Sequence, residues 1–463
     1  MPLETLTAVS SVDGRYRTIG AELAPFLSEY GLIQARLLVE CEYLMALSEA
    51  SIGMRPLTDG EKAIIRQIPN ITVEDAQIVK KIEREGYEGI PATNHDVKAI
   101  EYFIKRKLAG TSLADVAEWA HFGLTSEDVN SIAYGTMLRD ALEKVMLPAL
   151  DELAVSLRSL AAAHAGTPML SRTHGQSASP TTFGKEMRVF ESRLMRQIEQ
   201  LRGRSILVKF AGATGNFNAH VVALPDVDWR AFAGKLVARL NTGHAISLEH
   251  NSVTTQIEPH DTFAELFDNL RRANVILTDF SQDMWRYISD GWVTQKPKEG
   301  EVGSSAMPHK VNPIDFENAE GNFGVANTLF EHFSHKLPIS RLQRDLSDST
   351  VQRVFGTALA HALVGYRSLF RGLSKISVNE KAMREALQAH PEVIAEAIQT
   401  VLRKEGVAVP YEKLKELTRG RQVSLADFAA FIDGLTVPDE VKTRLKAIRP
   451  ENYLGFAEKI ANC

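Results

Sequence analysis

The residues with the clearest chemical potential stand in one run, Gly303-Ser304-Ser305-Ala306-Met307-Pro308-His309-Lys310-Val311-Asn312, which places two serines, a lysine and an asparagine within ten positions. Serine is a poor base at its ordinary pKa. It can remove a proton only where backbone N–H groups and a nearby cation stabilise its alkoxide, and the glycine before Ser304 permits that close approach. Lys310 and Asn312 carry donors suited to a carboxylate and to the negative charge that grows on it. Residues 296–303 are rich in breakers and lack an apolar period, so a surface loop is expected there. A nucleotide P-loop is excluded, because Lys310 lacks a preceding glycine and a following Ser/Thr, and no strand leads in. The plain alternative is a polar loop feeding a helix that starts at Pro313.

Four further groups carry chemistry. Ser171-Arg172-Thr173-His174-Gly175-Gln176 puts a histidine in a polar connection between two long helical stretches, where it can act as a general acid near neutral pH or be an ordinary surface histidine. Thr93-Asn94-His95-Asp96-Val97 is followed by His121-Phe122-Gly123-Leu124-Thr125-Ser126-Glu127-Asp128, in which Ser126 reads as a helix N-cap. The same hydroxyls and N–H groups can hold an anion. Arg344 and Arg353, with Ser349 between them, suit a phosphate or carboxylate, while Asp345 and Asp348 offer surface ion pairing as the competing role. Arg15-Tyr16 sets a cation beside a ring. In Thr254-Thr255-Gln256-Ile257-Glu258-Pro259-His260-Asp261, Gln256 can bond a substrate, or Thr255 can cap the next helix. A serine base, an acid histidine and several cationic anchors together describe elimination from a polyanionic substrate.

Long helices must position these groups. Phe263, Leu266, Phe267, Leu270, Ala273, Leu277, Phe280, Met284 and Tyr287 recur at steps of three and four, a stripe about 35 Å long at ~1.5 Å per residue. Phe183, Met187, Phe190, Leu194, Ile198 and Leu201 form a second stripe, with Pro180 at its first helical position. Leu150, Leu153, Leu157 and Leu160 form a third, starting after Pro148 and stopping at Gly166-Thr167-Pro168. These stripes are core, in helices packed as a bundle. Strand signal is thin: Ile206-Leu207-Val208-Lys209-Phe210 reads as one arm of a small hairpin. Without βαβ alternation, an all-α chain is expected. Three regions follow: 1–124 with shorter helices, 125–372 with the long helices and the serine-rich loop, and 373–463 as a small helical domain.

The chain of 463 residues is 44% hydrophobic and 24% charged, the composition of a globular protein able to bury large cores. A net charge of −5 gives no reason to expect nucleic acid or an anionic membrane as partner. Two cysteines, Cys41 and Cys463, without metal-type spacing, suit a reducing compartment. There is no signal peptide and no apolar run of the ~20 residues needed to span a bilayer, so a cytoplasmic location is expected.

The 303–312 run resembles the signature of the fumarase/aspartase superfamily, whose members release fumarate by β-elimination. With the segments around His95, Ser126, His174, Gln256 and Arg344, the chain resembles the adenylosuccinate lyase family. The opening Ala8-Val9-Ser10-Ser11-Val12-Asp13-Gly14-Arg15-Tyr16 and the late Tyr411-Glu412-Lys413-Leu414-Lys415-Glu416-Leu417-Thr418-Arg419-Gly420 point to its bacterial branch. The resemblance implies an all-α, three-domain fold whose central bundle assembles into a homotetramer, each site drawing on three subunits. It implies Ser304 as general base, Lys310 and Asn312 as the grip on the distal carboxylate, and His174 as the acid that protonates the departing nitrogen, with His95 nearby. Arg15, Tyr16, Asn94, Asp96, Thr125, Ser126, Gln256, Ser305, Val311, Asn318, Arg344, Ser349, Thr350, Val351, Gln352 and Arg353 would bind the nucleotide and succinyl group. The implied substrates are adenylosuccinate and succinylaminoimidazole carboxamide ribotide, with no metal or organic cofactor. One departure is Ser177, where the branch usually has proline. The competing readings are a sister enzyme, such as argininosuccinate lyase or fumarase, and an inactive helical scaffold. The latter is opposed by the presence of Ser304, His174, Lys310 and Asn312 together.

Overall fold

A computed structural model describes residues 4–50, 52–296, 307, 310–418 and 423–463. Helices dominate, as their capping sequences require. Thr58 with Glu61, Thr72 with Asp75, and Ser424 with Asp427 close capping boxes at the starts of Asp59–Gln67, Val73–Arg84 and Leu425–Asp433, satisfying N–H groups the helix itself leaves unpaired. The three apolar stripes are core except at their ends, where Leu160 and Tyr287 are half-buried. Phe267, Leu270, Ala273, Leu277 and Met284 on the 29-residue helix Asp261–Ser289, and Phe183, Met187, Leu194, Ile198 and Leu201 on Phe183–Arg202, are fully buried.

The described residues gather into two compact units. The first comprises Met1–Asp151, Arg196–Val275 and Ala319–Arg367. Its core includes the helix Glu29–Glu49 packed on Ser126–Ala141. Phe267, Phe330, Phe333 and Phe355 bring three long helices together, with ring centroids 4.8–5.5 Å apart for Phe267 against the other three. The second unit comprises Glu152–Met195, Ile276–Asn318 and Ser368–Cys463. There Phe280 meets Phe190 at 5.3 Å and Phe316 at 6.3 Å. These units are groupings in space, whereas the regions 1–124, 125–372 and 373–463 are stretches of chain. The first unit draws on the first two regions and the second on the last two.

Several local expectations are corrected. Ser205–Val208 is not a hairpin arm: it pairs in parallel with Ser247–His250, because the helices Asn218–Ala223 and Trp229–Arg239 intervene and carry the chain back. The hairpin lies instead at Pro168–Thr173 and Gln176–Thr182. Pro180 is therefore in a strand, and the helix begins at Phe183 with Thr182 Oγ1 accepting from the Lys185 N–H at 3.2 Å. Nor does a helix start after Pro148. Ser126–Ala141 continues through a π-helical turn, Leu142–Met146, into Leu147–Ala163. Pro148 cannot donate to the carbonyl a turn before it, and the wider turn directly upstream takes up the misfit.

Candidate active site

In the first unit, Thr125 rather than Ser126 is the N-cap of Ser126–Ala141. The Thr125 N–H donates to Asp128 Oδ2 at 2.8 Å, closing a capping box one residue earlier than the sequence suggests. Ser126 Oγ is thereby released toward His95, 3.3 Å from its Nε2. His95 in turn caps Asp96–Leu108, its Nδ1 accepting the Lys98 N–H at 3.2 Å. An acceptor at Nδ1 puts the proton of a neutral ring on Nε2, so His95 donates to Ser126. Asn94 precedes it at φ +50°, a left-handed position that asparagine tolerates.

Behind this exposed edge Asp128 and Lys209 are fully buried, with Lys209 Nζ 2.7 Å from Asp128 Oδ1. Asp128 also accepts the N–H groups of Ala211 and Gly212 at 2.8 and 3.1 Å, anchoring the 211–215 loop to the start of the helix. Burial pulls the Lys209 ammonium below the ordinary lysine range, and the Asp128 carboxylate offsets only part of this.

Arg344 is the centre of a second cluster. Its Nη2 lies 2.9 Å from Glu127 Oε1 and 3.9 Å from Asp348 Oδ1, and its Nη1 donates to Gln256 Oε1 at 3.4 Å. Its Nε is buried without a hydrogen-bond acceptor. Glu127 Oε1 also accepts from Asn130 Nδ2 at 2.7 Å; Asn130 Oδ1 accepts from Arg36 Nε at 2.9 Å; Arg36 Nη2 pairs with Asp96 at 2.8 Å; and Asp96 meets Arg353 at 3.3 Å. The two arginines singled out in the sequence are thus ends of one hydrogen-bonded chain. Burial raises Glu127 above the usual carboxylate range, with Asp348 adding to it against Arg344 and Asn130. Burial also raises Asp348, but His260, Arg344 and the Ser349 N–H outweigh it and hold Asp348 below that range. For Asp96 the burial penalty is likewise outweighed, chiefly by Arg36, so it titrates low.

The remaining candidates of this unit are placed as follows. Gln352 is buried, its Nε2 3.5 Å from His260 Nε2, and Val351 is core. Ser349 is half-buried and Thr350 exposed on the short helix Ser347–Gln352. The Thr255 hydroxyl donates to the Gln343 carbonyl at 2.9 Å rather than to a helix start. Arg15 is exposed and Tyr16 half-buried before the helix Arg17–Gly20. A cavity of about 350 Å³ opens beside Arg353, bordered by Asp13, Arg17, Glu29, Tyr134 and Gln352. His121 was singled out only as part of its segment, and its partner was not anticipated: at φ +59°, it sits 2.5 Å from the fully buried Glu40 carboxylate through Nδ1. Burial lowers the His121 ring, but Glu40 outweighs it and raises the ring above the usual histidine value. Glu127, Arg36, Asn130 and Lys209 were missed too. A lysine within Ile206-Leu207-Val208-Lys209-Phe210 was the available signal, since a lysine buried among apolar neighbours demands a partner.

In the second unit the hairpin register pairs Thr173 with Gln176, leaving His174 and Gly175 as a two-residue turn. Both have positive φ, +52° and +75°, the type I′ geometry that matches strand twist. His174 is exposed at that tip. Arg172, on the strand leading in, lies over the Trp292 ring at 5.6 Å. Ser304 and Ser305 lie outside the described residues. Lys310 is exposed, its N–H donating to the Met307 carbonyl at 3.0 Å, and the exposed Val311 offers its carbonyl to Gln295 Nε2 at 3.0 Å. Asn312 is half-buried. The helix that follows is Ile314–Lys336, one residue beyond the expected start, and Asn318 on it donates to Ser368 Oγ at 2.7 Å.

Comparison with known proteins bears on this arrangement. A family profile described as Lyase matches residues 16–326, and one described as Adenylosuccinate lyase C-terminal matches 340–454. The adenylosuccinate lyase of Vibrio cholerae serotype O1 is 46% identical, covering 100% of both chains. That of Escherichia coli K12 is 47% identical over 99% of this chain and 98% of its own. That of Dictyostelium discoideum is 48% identical over 98% and 97%. Among solved structures, the 3-carboxy-cis,cis-muconate lactonizing enzyme of Pseudomonas putida superposes with TM-score 0.70 at 22% identity, covering 95% of each chain. A fumarate lyase of Mesorhizobium sp. BNC1 superposes with TM-score 0.71 at 17% identity, covering 96% of each. At those identities the two structures establish the fold, an all-α arrangement of the fumarase/aspartase type, and the full-length relatives establish more: the chain belongs to the adenylosuccinate lyase family.

Proposed function

We propose that the chain is a C–N lyase that eliminates fumarate from adenylosuccinate, giving AMP, and from succinylaminoimidazole carboxamide ribotide, giving aminoimidazole carboxamide ribotide. The observation that carries this is similarity at 46–48% identity, over essentially the whole chain, to adenylosuccinate lyases from two bacteria and an amoeba. In the proposed reaction Ser304 Oγ takes the proton from the succinyl carbon next to the distal carboxylate. The electron pair moves onto that carboxylate, where Lys310 and Asn312 hold the added charge. As it returns to form the C=C bond, the C–N bond breaks and His174 protonates the nitrogen. Ser305, Val311, Asn318, Gln256, Arg15, Tyr16, Asn94, His95, Asp96, Thr125, Ser126, Arg344 and Ser349, Thr350, Val351, Gln352 and Arg353 bind the substrate. The exposed tip position of His174 supports its role, because an acid must reach a ligand. Arg344, with a donor that has no partner, supports an anion site. The active form is a cytoplasmic homotetramer, its regions 1–124, 125–372 and 373–463 contributing from different subunits to each site; two cysteines that do not pair suit the reducing compartment. No helix among the described residues is long and apolar enough to cross a membrane.

The test is an absorbance assay on adenylosuccinate, argininosuccinate and malate, where turnover of only the latter two would refute the nucleotide substrate. His174→Ala and Ser304→Ala should each keep the fold by circular dichroism and lose ~10²–10⁴ in kcat. Near-normal turnover in either would remove that residue from its role.

A further inference from the structure

Arg344 is already shared by two buried acids. Glu127 and Asp348 side chains are each 3% exposed, at 2.9 and 3.9 Å from the same Nη2. Any phosphate or carboxylate that engages the partnerless Nε becomes a third anion around one guanidinium, in a site shielded from water, where charges interact more strongly than in bulk. Such crowding is relieved when one acid accepts a proton, as in carboxylates that share a site. We propose that anion binding at Arg344 is proton-linked through Glu127, whose carboxylate becomes a neutral acid as the ligand takes over the arginine. The inference rests on the nucleotide reading above, which supplies the anion.

The structure selects Glu127 over its neighbours. Asp348 accepts the Ser349 N–H at 2.7 Å and faces His260 at 3.8 Å as well as Arg344, so its charge keeps support when the arginine turns to a ligand. Glu127 would keep only Asn130, a neutral amide. That amide's orientation is fixed, because its Oδ1 takes the Arg36 Nε–H, leaving Nδ2 to donate to Glu127 Oε1. The incoming proton, drawn from solvent, therefore forms its bond to Oε2, where no donor is displaced. Burial already raises Glu127 above the ordinary range, in the direction the proposal needs. The other titratable groups acting on it are Lys209 with Asp128, a couple whose charges cancel, Tyr134 and His260. Of these, His260 does pull Glu127 toward its ionised form, but more weakly than Arg344 and Asn130 do, and the cation in direct contact with the carboxylate is Arg344 itself.

The experiment is titration calorimetry of the full chain with AMP at about pH 8, where the free phosphate is already a dianion, in two buffers of different ionisation enthalpy. The wild type should take up roughly half to one proton per site, and its Kd for AMP should weaken by up to about tenfold per pH unit as pH rises from there. Glu127→Gln, which keeps the size and the acceptor for Asn130, should bind AMP with uptake near zero and a flat pH profile. Equal uptake in both proteins, or none in the wild type, would overturn the linkage while leaving the nucleotide reading intact. Failure of the wild type to bind AMP would overturn both. The pH profile of the wild type alone decides the matter if the variant does not fold.

Discussion

Asp128→Asn tests how the edge carrying Thr125 and Ser126 is held. The substitution keeps volume but removes the counter-charge of Lys209, which is completely buried and donates also to the Gly212 carbonyl. It also turns a second acceptor into a donor facing the Thr125 N–H. An ammonium stranded in the interior gives up its proton instead of staying charged. For a lysine with an ordinary value of ~10.4, this costs about 4 kcal/mol at pH ~7.5 and about 1.4 kcal/mol less for each pH unit above that. The sign follows from linkage: a lysine whose folded pKa is depressed loses stability as pH falls below its ordinary value, so the variant recovers toward wild type as pH rises. Because wild-type Lys209 already carries part of this penalty, denaturant unfolding of the full chain should show a deficit of up to about 4 kcal/mol at pH ~7.5, within the range for broken buried pairs, shrinking to at most about 1 kcal/mol at pH ~9.5. Adding Lys209→Met should abolish that pH dependence. A deficit below ~1 kcal/mol, or one constant across this range, would refute the account of a paired, desolvated lysine.

Three other outcomes follow from single positions. Gly215 has φ +82°, and an added Cβ would lie 2.2 Å from the Thr254 carbonyl oxygen, so Gly215→Ala should destabilise by about 2–4 kcal/mol in thermal unfolding. His220 is fully buried with neither ring nitrogen hydrogen-bonded, among Phe122, Phe210, Phe217 and Trp229, and burial lowers its pKa against the pull of Asp128. The unfolded chain binds a proton that the folded ring refuses, so wild-type stability should fall as pH drops below ~6.5 and His220→Phe should flatten that fall. Burial, with Asp279 and Glu186, raises Asp283 to about 6. A raised acid loses stability as pH climbs through its folded value, so Asp283→Asn should gain about 1 kcal/mol at pH 8 after allowance for partial solvation, and nothing near pH 4.

How far the sequence revealed these features depended on their range. Stripes such as Phe263 to Met284 were legible because burial of one helix face leaves a period of 3.6 in the residues themselves. The hairpin around His174 was not, since Ser171 to Thr182 is polar, contains a proline and turns on His-Gly rather than the usual Asn-Gly. The cap shifted from Ser126 to Thr125 because both residues qualify, and only the acid three positions on distinguishes them. Least legible was the chain from Arg344 to Arg353 through Glu127, Asn130, Arg36 and Asp96. Arg36 meets its partners 60 and 94 positions away, and no local pattern announces such a meeting. Of its members only Arg344, Arg353 and Asp96 stood out in the sequence, and nothing there joined them.

The hairpin that presents His174 also has an order of assembly built into it. Its flanks are tied to residues made much later: Thr167, just before the first strand, donates to Glu380, 213 positions on, and Ser179 on the second strand donates to Glu396, 217 positions on. At ~5–20 residues per second of synthesis, the ribbon waits roughly 10–40 s for those partners to emerge. During that interval the turn at His174 can form from its own two residues, while its seating in the molecule cannot. A nascent chain halted before Glu380 would therefore hold His174 in its local turn without the partners that seat the hairpin, until the last helices arrive.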